Sequence, residues 1–272
     1  MTNIKTTIWK SLLFLAVFAL TISILVVPYM KFIDKQLSKS VSRLSIDIVS
    51  ILPVLFASWV MTKYIEKMNF VKIGLENKNL LKDILIGTSL GLFWVFISFV
   101  GQYIFGTLSR TVSTQTIDGD FIFYTAALLL NAAVQELLCR GYLFKTIQKN
   151  IGIKTAVITT SLIFLLMHGG AMSAGIIPSL NVFGAGIIFA IAAYKTGQLW
   201  LPIALHFTWN FMYSSILYKP IESYVGLELF QTKGNVLLAG GQNGVEATII
   251  TTVTILIIIL IEHFSITQRE QH

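Results

Sequence analysis

The apolar residues of this chain fall in blocks of about 17 to 25 residues, the length that an α-helix needs to cross a hydrocarbon core of roughly 30 Å. Of its 272 residues, 55% are hydrophobic and only 12% are charged, and the mean hydropathy is +0.76. Too few polar side chains remain to cover a soluble globule of this size. The sequence therefore predicts an integral membrane protein.

The blocks predict an all-α, polytopic membrane bundle of about eight transmembrane helices, which forms a single transmembrane domain over residues 1–272. The first block follows basic residues as a signal peptide does, but no small-residue cleavage site follows it, so we expect it to remain as a span. Five blocks carry polar side chains and are expected to line an interior, whereas the last is expected to face lipid. The predicted spans are 9–30, 45–64, 84–106, 121–139, 155–171, 176–194, 198–218 and 246–264.

The net charge of +7 is interpreted as a signal of orientation and predicts no nucleic-acid partner. With both termini in the cytoplasm, 13 of the 20 Lys and Arg residues lie on the inner side, although four others crowd the first outer loop. An excess of Lys over Arg and the Ile-rich spans favour a bacterial cell membrane. Residues 32–41 are predicted to form a short helix along the headgroups, and the Gly-rich connection 219–245 is predicted to cap or gate an interior site.

Ionisable side chains inside a membrane tend to be paired, to face inward and to be functional. Glu136 and Arg140 stand four residues apart in the fourth span and therefore share one helix face, where the arginine can hold the carboxylate ionised. A purely structural ion pair is the alternative interpretation. The neighbouring Gln135 adds an amide and no charge.

Two histidines lie within or at the end of apolar spans. His168 ends the fifth span, one turn after Phe164, and His206 stands one turn before Asn210 in the seventh. Hydrogen bonds between helices would explain both histidines without catalysis. A water held between a carboxylate and two imidazoles is, however, the arrangement that amide hydrolysis needs.

These three groups, in this order, resemble the EExxxRG, FxxxH and HxxxN motifs of the CAAX-protease and bacteriocin-processing family, also called Abi, which includes the type II CAAX prenyl endopeptidases. The resemblance covers about residues 120–265, including the approach 199–202 to His206 and a Gly-Gly and Glu246 pattern before the last span. Each motif alone is weak, but three in order on a chain with eight apolar blocks are specific.

The resemblance implies an intramembrane endopeptidase with a polar chamber, in which Glu136, Arg140, His168, His206 and Asn210 match the family's motif positions. It implies that Glu and His activate water and that the Asn stabilises an oxyanion. Zinc held by His168, His206 and Glu136 is a further possibility, because two histidines and a carboxylate can bind it. The expected partners are the lipid bilayer and a peptide or membrane-protein substrate.

One position departs from the family pattern. Gln135 stands where the family has its first Glu, the expected general base, and an amide cannot accept the proton. Three outcomes stay open: Glu136 takes that role, a histidine takes it, or hydrolysis is lost. The leading hypothesis is an endopeptidase for a membrane-associated or leader-bearing peptide, and the alternative is a non-catalytic bacteriocin-immunity or regulatory protein. A proton-coupled transporter is disfavoured because the sequence has no inverted repeat.

Overall fold

A computed structural model describes residues 4–32, 37–111, 117–218 and 226–267, and nearly all of this part is helical. Two short strands pair antiparallel, β1 Leu108–Arg110 and β2 Phe230–Thr232. The helices are α1 Ile4–Phe32, α2 Lys39–Val60, α3 Leu80–Ile104, α4 Gly119–Glu136, α5 Phe144–Asn150, α6 Ile153–Leu166, α7 Gly169–Ala174, α8 Ile176–Thr196, α9 Trp200–Phe211, α10 Val236–Ala239 and α11 Ile249–Thr267.

Three helices continue into wide π-helical turns, at Met61–Ile65, Leu137–Leu143 and Met212–Leu217. The second of these joins α4 to α5 across a kink at Gly141, where the backbone is not helical, so the predicted fourth span extends well beyond residue 139. The fifth predicted span is shorter than expected, because α6 ends at Leu166. Residues 33–36 of the predicted headgroup helix and residues 219–225 of the long connection lie outside the described residues.

Five helical segments in the described part of the chain are long and apolar enough to cross a membrane. They are Ile4–Phe32, Lys39–Ile65, Leu80–Ile104, Gly119–Asn150 and Ile176–Thr196, and two shorter apolar helices cover Ile153–Leu166 and Ile249–Ile261. The chain is therefore an integral membrane protein built almost entirely of helices. A count of about eight spanning helices stays a prediction.

Helix α9 lies at the centre of the bundle and packs against α3, α4 and α8. Helix α2 packs between α1 and α4, and α8 packs against α6 and α11. Most side chains of α9 are buried, including the polar residues His206 and Thr208. The histidine predicted to be functional is thus held inside protein and does not face lipid.

The last helix differs from its prediction. Its threonine side faces the protein: Thr254 accepts a hydrogen bond from Trp94 Nε1 at 3.2 Å, and Thr252 donates one to Asn181 Oδ1 at 2.7 Å. The expectation that this helix faces lipid is wrong for its threonine side, because a hydroxyl every third or fourth residue forms a polar seam against α3 and α8. Only its opposite face, with Val253 and Leu256, remains exposed.

The closest approach in the bundle joins α3 to α9 through glycines. A Cβ atom added to Gly87 would stand 2.4 Å from the carbonyl oxygen of Leu201, and one added to Gly91 would stand 2.7 Å from Thr208 Cβ. This GxxxG pair therefore serves close packing within the bundle.

Replacing Gly87 with alanine is expected to lower the free energy of unfolding by about 1–3 kcal/mol, because the added methyl group forces the two helices apart. Thermal unfolding in detergent micelles measures this. Gly119→Ala is the matched control, since its added Cβ would meet nothing within 4 Å. Equal stability of the two variants would contradict the close approach.

Candidate active site

The last residue of α4, Glu136, begins a buried polar cluster. Its side chain and that of Arg140 are both 0% exposed, and Arg140 Nη1 donates to Glu136 Oε1 at 3.1 Å. The second guanidinium nitrogen, Nη2, donates to the carbonyl oxygen of Gly186 on α8 at 2.7 Å. The predicted pairing of these two residues is present, and it also ties α4 to α8.

His206 on α9 completes the contact. Its Nδ1 lies 3.0 Å from the same Oε1 of Glu136. A carboxylate oxygen accepts hydrogen bonds, so Nδ1 of this ring carries the hydrogen, and in the neutral imidazole Nε2 is left as an acceptor. In enzymes, a histidine that acts as a base often has its tautomer fixed by a carboxylate bonded to Nδ1, and Glu136 and His206 have this geometry.

Aromatic rings enclose the charged groups. The Arg140 guanidinium carbon lies 4.7 Å from the ring centre of Phe164 and 5.7 Å from that of Phe189. Phe189 also stacks on His206, with ring centres 4.6 Å apart and planes at 17°. These rings shield the ion pair from water, and they hold the guanidinium by cation–π attraction.

His168 lies in the turn between α6 and α7. Its Nδ1 is 2.7 Å from the carbonyl oxygen of Phe164, which again assigns the hydrogen to Nδ1 and leaves Nε2 free to accept. The Phe164 ring lies beside both imidazoles, with its ring centre 4.5 Å from that of His168 and 5.6 Å from that of His206. Glu136 and His206 are thus in direct contact, whereas His168 approaches them only through the Phe164 ring that lies beside both imidazoles.

Gln135 belongs to a different network, although it is adjacent to Glu136. Its Nε2 donates to Asn131 Oδ1 at 2.8 Å, and Asn131 Nδ2 donates to Asp47 Oδ1 on α2 at 3.0 Å. Arg43 in turn bonds Asp47 at 3.2 Å. An amide suits this chain of bonds because it supplies the donor that Asn131 needs, which a carboxylate at position 135 would not.

Asn210 is half-buried one turn after His206 on α9. Its backbone carbonyl accepts a hydrogen bond from Ser214 at 2.7 Å, whereas within the described ranges no residue bonds its side-chain amide. That amide is thus available to a ligand. This agrees with the expectation that Asn210 stabilises an oxyanion, which stays a prediction.

The sequence assigned no role to three residues that the fold brings to this cluster. Gly186 and Phe189 come from α8, where nothing in the apolar pattern distinguishes them from packing residues. Glu246, from the connection before α11, accepts a hydrogen bond from Trp209 Nε1 at 3.0 Å. An isolated carboxylate at the edge of an apolar block was the one available signal.

A cavity of about 260 Å³ reaches the cluster from the side of Arg140. It is polar and basic, and neither His168 nor His206 lines it. Its walls are formed by Arg140, Phe144, Lys145, Gln148, Ala193, Tyr194, Gly197, Gln198 and Leu199.

The donor set does not fit a zinc site as arranged. Zinc needs three such ligands directed at one point, and no group of three His, Cys, Asp or Glu side chains in the described residues stands in a position to hold a metal ion. Glu136 Oε1 already accepts bonds from Arg140 and His206. Zinc at His168, His206 and Glu136 stays a prediction that metal analysis of the purified protein will test.

The comparison with protein families agrees with this geometry. Residues 118–212 match the family model described as type II CAAX prenyl endopeptidase Rce1-like. The chain carries an Rce1-like segment. This segment contains Gln135, Glu136, Arg140 and both clustered histidines, while Glu246 lies outside it. No curated protein and no solved structure matches the chain.

Proposed function

We propose that this protein is an intramembrane endopeptidase that hydrolyses a peptide bond of a membrane-associated or leader-bearing peptide. The observation that carries the proposal is the hydrogen bond of 3.0 Å between His206 Nδ1 and Glu136 Oε1. Glu136 also forms a fully buried ion pair with Arg140. An ion pair with a purely structural role would be complete with Glu136 and Arg140 and would not require the contact with His206. The Rce1-like segment supports a protease in general terms.

The residues divide the work as follows. Glu136 orients His206, and Arg140 holds the Glu136 carboxylate in place by its hydrogen bond to Oε1. The Nε2 atoms of His206 and His168 bind the attacking water and the scissile group by hydrogen bonds, since each ring already uses Nδ1. The free amide of Asn210 donates to the developing oxyanion, a contribution of about 3 kcal/mol in enzymes with such a donor.

Glu136 is poorly suited to act as the general base. Its side chain is 0% exposed, and its Oε1 already accepts two hydrogen bonds. Its Oε2 has no hydrogen-bond partner in the described part of the chain but is buried as well, so a water would have to enter the protein interior to reach it. We therefore assign Glu136 to the orientation of His206 and not to the role of general base.

The proposal is tested with candidate leader-bearing and membrane-associated peptides in proteoliposomes. Wild type is expected to cleave at least one of them, and the double variant His168→Ala/His206→Ala is expected to lose at least about 10³-fold in kcat/KM, because both water-binding imidazoles are gone. The chain provides a matched control in His263→Ala/His272→Ala, which changes its only two other histidines. Equal cleavage by wild type and the site double variant would exclude the proposed site.

The substitution at Gln135 supports a second candidate, a non-catalytic bacteriocin-immunity or regulatory protein of the same fold. The amide is well accommodated by Asn131, as expected of a position that no longer serves hydrolysis. Cells that express the folded His168→Ala/His206→Ala variant distinguish the two functions. Full protection against a bacteriocin in these cells, with no cleavage by wild type, would identify binding as the function.

A further inference from the structure

Glu246 is a second carboxylate beside the histidine cluster, and three contacts fix its position. Its Oε1 accepts from Trp209 Nε1 at 3.0 Å, and its backbone N–H donates to the Tyr213 hydroxyl at 2.6 Å. Its carbonyl oxygen accepts from Asn181 Nδ2 on α8 at 2.8 Å. Glu246 lies in a connection between helices, but these contacts anchor it to α8, to α9 and to the π-helical turn that follows α9.

The connection needs its glycines to reach this position. Gly240 has φ of +78°, and a Cβ atom there would stand 1.7 Å from the carbonyl oxygen of Gly244. Both residues leave the backbone free to close a tight turn immediately before the short helical turn Val245–Ala247. The turn sets where the Glu246 carboxylate lies.

Trp209 brings this carboxylate to the side of the histidine. It stands three residues after His206 on α9, and its indole is stacked on Trp94 at 4.1 Å between ring centres. A rigid, buried indole thus anchors the carboxylate to the helix that carries His206, the ring that the proposed function assigns to water.

Glu246 differs from three other fixed carboxylates, each of which pairs with a cation. Glu136 is paired with Arg140, Asp47 with Arg43, and Glu66 with Lys10. Within the described ranges no cation pairs with Glu246, whose side-chain partner is the neutral Trp209. The residue is also exposed. A carboxylate that is accessible and lacks a cationic partner is available to take a proton.

We infer that Glu246 is the general base of the hydrolysis, in the role that Gln135 cannot fill. The inference rests on the proposed function. As the water oxygen bonds to the carbonyl carbon, Glu246 takes one water proton, and the carbonyl electron pair moves to the oxygen to give the oxyanion. When the C–N bond breaks, the proton passes to the leaving nitrogen and the carboxylate is regenerated.

The test compares kcat of wild type with kcat of Glu246→Gln, whose amide oxygen still accepts from Trp209 and so preserves the anchor. We expect a loss of at least about 10²-fold, the smaller end of what a general base contributes. Glu66→Gln is the matched control, because it removes a fixed carboxylate that pairs with Lys10. A Glu246→Gln variant within threefold of wild type would overturn the inference.

Rescue separates proton transfer from a structural role. Adding Gln135→Glu to Glu246→Gln restores a carboxylate at the family position, and we expect it to raise kcat at least tenfold above Glu246→Gln. If no recovery occurs, Glu246 serves only to position Trp209, and the inference fails while the protease assignment stands. If neither wild type nor Gln135→Glu cleaves any peptide, the proposed function fails, and the inference fails with it.

Discussion

Replacing Glu136 with glutamine is expected to reduce kcat/KM by about 10³ to 10⁴-fold, the loss seen when an amide replaces the carboxylate behind a catalytic histidine. The carboxylate accepts from His206 Nδ1 at 3.0 Å, which leaves Nε2 as the acceptor of the neutral ring. A glutamine at this position either turns its NH₂ group toward the ring, which selects the wrong tautomer, or keeps its oxygen there and provides no negative charge beside His206 and Arg140. Cleavage by the purified variant in proteoliposomes measures the effect.

Glu76→Gln serves as the control for this change. Glu76 accepts a hydrogen bond from Gln198 Nε2 at 3.2 Å, away from the histidines, so its replacement is expected to leave kcat/KM within threefold of wild type. Retention of more than a tenth of wild-type activity by Glu136→Gln would show that His206 does not depend on this carboxylate.

Replacing Arg140 with methionine is expected to lower the free energy of unfolding by about 3–5 kcal/mol. The change leaves the buried Glu136 charge without its partner and also removes the bond to the Gly186 carbonyl and the stacking on Phe164. Thermal or denaturant unfolding in detergent micelles measures the loss. Arg140→Lys is expected to recover little of it, because an ammonium cannot make both bonds and stack as well.

The double variant Glu136→Leu/Arg140→Met tests whether the unpaired Glu136 charge causes the loss of stability. Removal of both charges is expected to restore at least half of the lost stability, since replacing a whole buried ion pair with apolar side chains is often neutral. If the double variant is as unstable as Arg140→Met alone, packing of the arginine stem explains the loss and the charge does not.

Eight of the described helices could be predicted because each contains an apolar block, whereas α5, α7 and α10 could not, and how many helices cross the membrane stays a prediction. Their ends were harder to place. Nothing in the apolar pattern indicates that Leu137–Leu143 forms a wide turn instead of ending the helix, or that α6 ends before His168. The periodicity of α11 likewise does not show which neighbours its hydroxyl groups would meet.

Within the site, sequence spacing was informative only along single helices. The four-residue spacing of Glu136 and Arg140 predicts their contact, as helix geometry requires. The bond between Glu136 and His206 joins residues 70 positions apart and depends on how α4 and α9 are rotated against each other. That rotation follows from packing of the whole bundle, so only the resemblance to a family placed these residues together in advance. Glu246 lies outside the matched segment and required the structure.

The wide turn at Leu137–Leu143 has one more consequence. An extra residue in one helical turn shifts the angular phase of everything after it by about 100°. The kink at Gly141, whose ψ is −109°, changes the direction of the helix at the same place. The stripe that α4 presents to α2 and α9 and the stripe that α5 presents to α6 therefore do not lie on one line. A single helical wheel drawn through both halves would assign one of them to the wrong face.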